Sequence, residues 1–499
     1  MAQLQELTRV AIVLIVSVCM FGCRGPQPCC DPSLVSRQLL SRTGHLPDTV
    51  CPGHEQIPPG VFLEDGLSED EAVHTALTNN SLFQAAVAQL GMVGGDAKQA
   101  SLIANPQMLI YFPTSAKEGQ YTLYQPIESY LLRPARVKVA NREYRRIGEQ
   151  LVQNGLDVAR DTRLAYIDMA LAADQAALAD EAKSIRQGIA ELTDRRFQRG
   201  DISELETITA RVDYLNATAA ASAQRQAVHI TGAQLQSLIG LPYCEPIVPL
   251  PLETPEPLYL DEGELIAQAL ACRPDYHAAQ WNIAAVAQLA QLARWIFIRA
   301  DGVLDIRNGP NATNPGSRAA GGLRFDIPIF NRNQGGILRA DWELNAALHG
   351  RDAIRDQIIA DVRTASRQLR LAQENLLILE RDVSPALAEA LEISRKGLAD
   401  GGTDYLLVLQ TTSQYIDARS RILIQKAAVL RALAQLDRAV GSNIECGFVD
   451  YREITQSTTE ALQDVLADVD AMLPDSSAEI PDTDETKSVV KAALSLGRF

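Results

Sequence analysis

The sequence contains one unit twice, and this duplication constrains the fold more than any other feature. Residues 200–240 align on residues 401–441 without a gap at an offset of 201. Residues 67–77 align on residues 260–270 at an offset of 193. Chance similarity rarely keeps the order and spacing of several such regions. We therefore expect two copies of one fold, over residues 67–242 and 260–444.

Each copy is predicted to contain a long helical hairpin. Residues 135–199 contain no proline, so most of the segment can form one helix that reaches roughly 100 Å at 1.5 Å per residue. Gly200 then supplies the turn, because glycine readily adopts the left-handed conformation that ends helices. After each turn, apolar and small residues recur at steps of three and four, as in a coiled-coil seam. The seam residues are Leu205, Ile208, Val212, Leu215, Ala219 and Ser222 in the first copy, and Leu406, Leu409, Ile416, Leu423, Ala427 and Leu430 in the second.

Two segments are predicted to interrupt helices. Pro385 should break the outgoing helix of the second copy into two helices laid end to end, because proline lacks the N–H that the helix needs. Gly91, Gly94 and Gly95 are too isolated to form a phosphate-binding loop. We interpret them as a helix-breaking linker.

Four segments have the composition of β-strands, in two pairs joined by loops. They are residues 104–113 and 119–127 in the first copy, and 297–308 and 321–330 in the second. The last is the clearest, because Leu323, Phe325, Ile327 and Ile329 alternate with other residue types. An isolated two-stranded hairpin is marginally stable, and the smallest membrane barrels need about eight strands. The strands are therefore either surface hairpins or one chain's share of a barrel built by several chains.

The N-terminus has the features of an export signal. Residues 10–21 are apolar and follow Arg9, and the run is too short to span a bilayer. It ends at Gly22-Cys23, which resembles the lipobox of bacterial lipoproteins, where the cysteine carries the lipid anchor. In that pattern Arg24 suits sorting to an outer membrane. The alternative is a soluble secretory signal that is cleaved nearby.

Three segments lie outside the signal (1–23) and the two copies. Residues 24–66 are predicted to be an extended leader and residues 243–259 a proline-rich connector. Residues 445–499 form an acidic tail whose composition predicts partial disorder.

The cysteines leave two interpretations open. Cys244 and Cys446 follow the closing glycines of the two copies, and a disulfide could join them in an oxidising compartment. Alternatively these cysteines and Cys272 are small unpaired apolar residues, since sequence alone does not fix connectivity.

Catalytic chemistry is not indicated. The formal net charge of −16 argues against a nucleic-acid partner, which needs a basic surface. The six histidines show neither i,i+4 pairing nor a His-Glu-x-x-His motif. We therefore predict no enzyme activity, no catalytic residue, no cofactor and no metal site.

In its order of elements the chain resembles the TolC-type outer-membrane efflux factors. The resemblance covers residues 67–444 and is carried by Arg196-Phe197-Gln198-Arg199-Gly200 with its copy at Gly401. A third motif, residues 327–335 (Ile-Pro-Ile-Phe-Asn-Arg-Asn-Gln-Gly), is similar to the strand-to-helix junction of that family, especially of its metal-efflux branch. Each motif alone is weak, but their order within a duplicated chain is specific.

The resemblance implies a mainly helical fold with membrane β-structure. In that family three chains pool four strands each into a twelve-stranded barrel in the outer membrane, and their helical hairpins form an α-barrel through the periplasm. The implied partners are two further copies in a homotrimer, outer-membrane lipid, a periplasmic adaptor and an inner-membrane pump of the resistance-nodulation-division type. The implied adaptor-docking tips are Gly200, Asp201, Ile202, Ser203 and Leu205, with Gly401, Gly402, Thr403 and Leu406.

The residues expected at the aperture, the narrowest part of the tunnel, depart from the family pattern. Some members carry acidic residues just after the second turn, whereas Leu407 and Gln410 occupy those positions here and Asp404 is the nearest acid. The predicted function is a passive exit duct for a tripartite pump, with metal ions as one cargo class. A type I secretion duct is a variant of this function, and a structural coiled-coil lipoprotein without a pore is the alternative.

Overall fold

The structure is a computed structural model that describes residues 33–46, 56–61, 66–111, 119–241, 247–255, 261–297, 299–311, 314–399 and 405–442. Several predicted features lie outside these residues: the signal with Cys23, the turn residues Gly401, Gly402 and Thr403, Asp404, Cys244, Cys446 and the acidic tail. Within the described residues, none of the helices combines the length and the apolar character needed to cross a bilayer.

A similar series of elements occurs twice, after one additional helix, α1 (Ser33–Thr43). The first copy consists of α2 (Glu69–Asn79), α3 (Ser81–Ala100), β1 (Gln107–Tyr111), β2 (Gly119–Pro126), α4 (Glu128–Leu131), α5 (Arg133–Gln198) and α6 (Glu204–Leu238). The second consists of α7 (Glu262–Cys272), α8 (Pro274–Ala293), β3 (Ala300–Asn311), β4 (Asn314–Phe325), α9 (Gln334–Ile378), a π-helical turn (Leu379–Val383), α10 (Ser384–Ala399) and α11 (Tyr405–Val440). The bounds of α7 and α8 equal those of α2 and α3 plus 193, the offset found in the sequence.

Equivalent side chains start the first helix of each copy. The Ser68 hydroxyl accepts a hydrogen bond from the N–H of Glu71, whose carboxylate accepts one from the N–H of Ser68. This capping box satisfies two donors that the helix itself cannot. At the corresponding position before α7, the Asp261 carboxylate accepts a hydrogen bond from the N–H of Glu264. The local sequence therefore begins both helices at the same place.

The outgoing helix of the first copy is continuous, as predicted. Helix α5 runs for 66 residues, a length of roughly 100 Å. It ends before Gly200, whose φ of 81° is in the left-handed region that favours glycine. Ser203 then caps α6 in a second capping box with Glu206.

The outgoing helix of the second copy is broken, which confirms the prediction made from Pro385. Helix α9 ends at Ile378, Leu379–Val383 form the π-helical turn, and α10 begins at Ser384. Because proline cannot donate a hydrogen bond to the preceding turn, the backbone widens ahead of it. The second hairpin therefore contains a break that the first lacks.

The four strands form one antiparallel sheet in the order β1-β2-β3-β4. The predicted pairs are thus joined, since β2 of the first copy pairs with β3 of the second, with Tyr121 opposite Ile306. This register places the last residue of β2, Pro126, opposite Asp301 near the start of β3. Among the described strands, β1 and β4 each have one edge without a neighbour.

The prediction that the fourth strand runs to residue 330 is wrong, because β4 ends at Phe325. The N–H of Asp326 still donates to the carbonyl of Arg299 at 3.2 Å. Two residues later Pro328 has no N–H to continue the ladder. The apolar alternation of the sequence therefore continues beyond the strand itself.

The prediction of an extended leader is wrong for residues 33–43, which form α1. Val35 and Leu39 of this helix are buried against α2, α3 and α5, together with Phe83 and Leu151. Burial of these apolar side chains stabilises a short helix that has little stability by itself. The leader thus becomes part of the helical core.

The interpretation of Gly91, Gly94 and Gly95 as a linker is also wrong, because all three lie within α3. The face of α3 that carries Leu90 and Ala97 is buried. Packing of this face outweighs the low helix propensity of glycine, about 1 kcal/mol per residue.

Candidate functional site

The tip of the first hairpin is a hydrogen-bonded turn. The N–H of Gly200 donates to the carbonyl of Phe197 at 2.8 Å, and the N–H of Asp201 donates to the carbonyl of Arg196 at 3.0 Å. These bonds satisfy carbonyls that the end of α5 leaves free. The turn is therefore a defined structure that holds the residues after it in place.

The predicted docking residues of this tip are accessible. Leu205 is 73 % exposed, Asp201 and Ser203 are exposed as well, and Ile202 is half-buried. Ile208, one turn after Leu205, is also exposed. Two neighbouring exposed aliphatic side chains at the start of α6 can form a contact with another protein.

The tip of the second hairpin is described from Tyr405 onward. Leu406 and Leu407 are exposed, whereas Val408 is fully buried. Gln410 is exposed too. The two aperture candidates that can be located, Leu407 and Gln410, are therefore both accessible at the start of α11.

The two hairpins lie side by side near their tips. Arg419 on α11 donates to the Glu181 carboxylate on α5 at 2.5 Å, and Arg186 donates to the Ser413 hydroxyl at 3.4 Å. Arg186 precedes Gly200 by about four helical turns. The structure thus brings the regions behind the two predicted docking tips together.

The predicted coiled-coil seam on α6 does not pack within the chain. Its first four members, Leu205, Ile208, Val212 and Leu215, are all exposed. At 100° per residue they lie about 180° round the helix from the alanines that are buried. The buried alanines are Ala210, Ala217 and Ala221. In the half near the tip, helix α6 therefore packs on its own chain through small residues and presents its larger aliphatic residues to solvent.

The corresponding seam on α11 is exposed at the end near the tip and buried at the other end. Ala427 and Leu430 are buried, Leu406 is exposed, and the seam residues between them are half-buried. The end of α11 that is distant from the tip packs into the core of the second copy with Leu436 and Val440. Within the single chain, only the half of this seam that is distant from the tip is therefore covered.

Arginines and aspartates join the two copies where the hairpins meet the shorter helices. Arg163 on α5 binds Asp437 on α11 at 2.7 Å. Arg438 binds Asp157 on α5 at 2.8 Å and Asp361 on α9 at 3.2 Å. Burial alone would lower the pKa of Arg163, but the neighbouring carboxylates raise it above its usual value. These ion pairs fix α5 of one copy against α9 and α11 of the other.

Arg273 is the most buried member of this network, with 1 % of its surface exposed. It binds Asp275 and Asp361, and donates to the carbonyl of Ala439 at 3.5 Å. Burial lowers its pKa, but the hydrogen bonds and the charges of both aspartates together raise the pKa above its usual value. Sequence reasoning missed this network because Arg438 and Asp157 are 281 residues apart. Only the equivalence of the two copies hinted that these helix ends meet.

The described residues contain no group of three or more His, Cys, Asp or Glu arranged to bind a metal ion. The rings of His45 and His74 stack with centroids 5.0 Å apart. His277 lies 3.9 Å from the Glu149 carboxylate, and Cys272 is a buried free thiol. These groups contribute to packing between α1 and the two copies.

Both copies of the repeat match one known protein family. The family described as Outer membrane efflux protein matches residues 72–241 and 265–442, one range in each copy. The chain therefore belongs to the outer membrane efflux protein family. It is an outer-membrane efflux channel of the type that works in a tripartite pump.

Individual relatives agree with this assignment. The cobalt-zinc-cadmium resistance protein CzcC of Cupriavidus metallidurans is 25% identical over 391 residues, which are 75% of this chain and 90% of CzcC. The nickel-cobalt-cadmium resistance protein NccC of Alcaligenes xylosoxydans xylosoxydans is 26% identical over 357 residues, 68% of this chain and 75% of NccC. The crystal structure of CusC superposes with a TM-score of 0.64 at 16% identity, covering 79% of this chain and 99% of CusC.

Proposed function

We propose that three copies of this chain form one exit duct, which crosses the bacterial outer membrane and continues as a helical tunnel into the periplasm. The main support is that each chain has incomplete surfaces, namely the two free edges of its described sheet and the exposed α6 seam. Four strands are too few for a membrane barrel, which needs about eight or more. Three chains supply twelve strands, and closure pairs every edge, as a bilayer requires.

The side chains of the sheet support contact with lipid. Met108, Leu109, Ile110 and Tyr111 of β1 are all exposed. Because successive residues of a strand point to opposite faces, both faces of β1 are accessible in the single chain. In a closed barrel one face would contact lipid and the other would line the channel.

The α6 seam supports packing between neighbouring copies in the tunnel. Its aliphatic residues recur at the steps of three and four that allow helices to interlock. Its exposed side chains would be covered by a helix of the next copy, which removes apolar surface from water. The tunnel wall would then be continuous round the trimer.

The hairpin tips are the proposed docking surface for a periplasmic adaptor protein, which links the duct to an inner-membrane pump. Exposed Leu205 and Leu406 would supply the apolar contacts, and the hydrogen bonds of the Gly200 turn would hold Leu205 in position. The proposed docking residues are Gly200, Asp201, Ile202, Ser203, Leu205, Gly401, Gly402, Thr403 and Leu406.

Divalent metal ions are the proposed cargo. The support is that CzcC and NccC are resistance proteins for cobalt, zinc, cadmium and nickel. The duct would be passive, and the choice of ion would belong to the pump. We also propose that Cys23 carries a lipid anchor, which mass spectrometry of the mature N-terminus would reveal.

The duct is tested by the mass and conductance of the purified protein. We expect a detergent-stable trimer that conducts ions in planar bilayers. Val212→Asp places a charge in the α6 seam and should yield monomers that do not conduct. Thr207→Asp adds the same charge to the same helix about 140° away from Val212 and should leave the trimer intact. A wild-type protein that is monomeric and non-conducting would contradict the duct and support an envelope spacer.

The cargo is tested separately in cells. Deletion of the chain should lower tolerance to cobalt, zinc, cadmium or nickel, and the intact chain should restore it. Unchanged tolerance to all four ions would contradict metal export without affecting the duct proposal.

A further inference from the structure

A small cavity lies where α1 meets both copies. Its volume is about 20 Å³, and a cavity needs about 10–15 Å³ to hold one water molecule. Arg42, Arg160, Arg163 and Arg438 line it, and Asp437 is the one carboxylate among its lining residues. The cavity therefore has room for one monatomic ion or one water molecule, in a lining rich in guanidinium groups.

Three of the four arginines have a carboxylate close by. The pairs are Arg160 with Asp161 at 2.7 Å, Arg163 with Asp437 at 2.7 Å, and Arg438 with Asp157 at 2.8 Å. Their charges are largely balanced within the protein. The fourth arginine is the exception.

Arg42 is buried without a carboxylate partner among the described residues. It is 4 % exposed, and its Nη1 donates to the carbonyls of Cys272 and Gly441, the latter at 3.1 Å. Its Nε is buried and has no hydrogen-bond partner. The Glu149 carboxylate acts on the charge of Arg42, but its close neighbours among the described residues are Gln38 at 3.2 Å and His277 at 3.9 Å. A buried cation with a free donor is costly unless something supplies the missing acceptor.

We propose that the cavity binds one small monovalent anion of the size of chloride, which accepts a hydrogen bond from Arg42. The lining disfavours a cation, and the volume is too small for sulfate or phosphate. A halide suits the site because it is monatomic and accepts hydrogen bonds from any direction. Since Arg42 lies near the end of α1 and binds carbonyls of the second copy, the anion would help hold α1 against both copies.

Crystals grown in bromide test the occupant directly. We expect an anomalous difference peak within about 3.5 Å of the Arg42 guanidinium, a hydrogen-bonding distance for a large anion. Density without anomalous signal, refined as a water molecule, would overturn the proposal. This result does not depend on trimer formation or on export, so it is separate from the test of the duct.

Hydrogen exchange of residues 33–46 tests the consequence for α1. Exchange in chloride should be slower than in gluconate of equal ionic strength, by about tenfold at a chloride concentration ten times the dissociation constant. Arg42→Met should abolish the difference, and Arg339→Met, at an exposed arginine of α9, should preserve it. Equal exchange of the wild-type protein in both salts would contradict the proposal, whether or not Arg42→Met folds.

Discussion

Asn80 and Arg273 occupy equivalent positions in the two copies, and each donates to a carbonyl at the same point of its returning helix. The Asn80 amide donates to Leu238 at 2.8 Å, and the Arg273 guanidinium donates to Ala439 at 3.5 Å. The donors differ by 193 positions and the acceptors by 201, the two offsets of the repeat. The two copies thus retain one structural link, although a neutral amide in the first corresponds to a buried cation in the second.

Arg273→Met should destabilise the second copy strongly. The substitution removes a buried cation and leaves Asp275 and Asp361 without it, for which we expect a loss of about 3 kcal/mol in the free energy of unfolding. Denaturant unfolding of the purified protein measures the change. Arg339→Met, at the exposed pair with Glu343, is the control and should leave the midpoint unchanged. Equal midpoints for both variants would show that the buried network contributes little.

Gly155→Ala should weaken the attachment of α1. A Cβ at this position would lie 2.5 Å from Cδ2 of Leu39, which is fully buried and has little room to move. We expect a net cost of about 1–2 kcal/mol and faster proteolysis within residues 33–46. Gly188→Ala is a matched control in the same helix, because its Cβ would meet nothing within 4 Å. It should be neutral or stabilising, since alanine favours helix; a similar loss from both variants would contradict the steric argument.

The junction between α1 and α2 should loosen as the pH falls below about 6.5. Burial lowers the pKa of His45 from 6.5, and His74 and Arg163 lower it further against the opposing effect of Asp70. The pKa of His45 is lower in the folded than in the unfolded protein. Its contribution to the stability of the fold is therefore complete above pH 6.5 and is lost as the pH falls through the folded pKa. Proteolysis within residues 33–46 should therefore accelerate between pH 7 and about pH 5.

His45→Gln should remove most of this pH dependence. The exposed His229 on α6 provides the control, and His229→Gln should retain the wild-type profile. Protease activity itself changes with pH, so each variant is compared with the wild type at every pH. Identical profiles for His45→Gln and the wild type would assign the effect to other groups.

Leu407→Ala should raise the single-channel conductance if Leu407 narrows the aperture. Removing an exposed isobutyl group near the start of α11 widens a constriction and lowers the barrier to hydrated ions. Planar bilayer recording measures the change. Ile393→Ala, at an exposed aliphatic residue of α10, is the control and should leave the conductance unchanged. Unchanged conductance for Leu407→Ala would remove this residue from the gate.

Local signals in the sequence predicted most of the helices and turns, but they did not predict which of these elements contact each other. The Gly200 turn and the break before Pro385 follow from backbone chemistry that single residues determine, and both are confirmed. The pairing of β2 with β3 was missed because it joins segments of different copies. Helix α1 was missed because its stability comes from burial of Leu39 against distant helices.

The candidate site was predicted in part. The spacing of Leu205, Ile208 and Val212 identified an apolar seam, but spacing does not tell whether the same chain or another one covers it. The structure shows that the same chain leaves the seam exposed. The buried pair of Arg163 and Asp437 has no local pattern, because 274 residues separate its members.

The π-helical turn at Leu379–Val383 makes the outgoing helices of the two hairpins unequal. Helix α5 is a single stiff rod, whereas α9 and α10 meet at a joint where the backbone hydrogen bonds change register. If the proposed tunnel widens at the hairpin tips, we therefore expect the second hairpin to bend at this turn while the first stays straight. The two copies, which share one order of elements, would then differ in how much each contributes to opening.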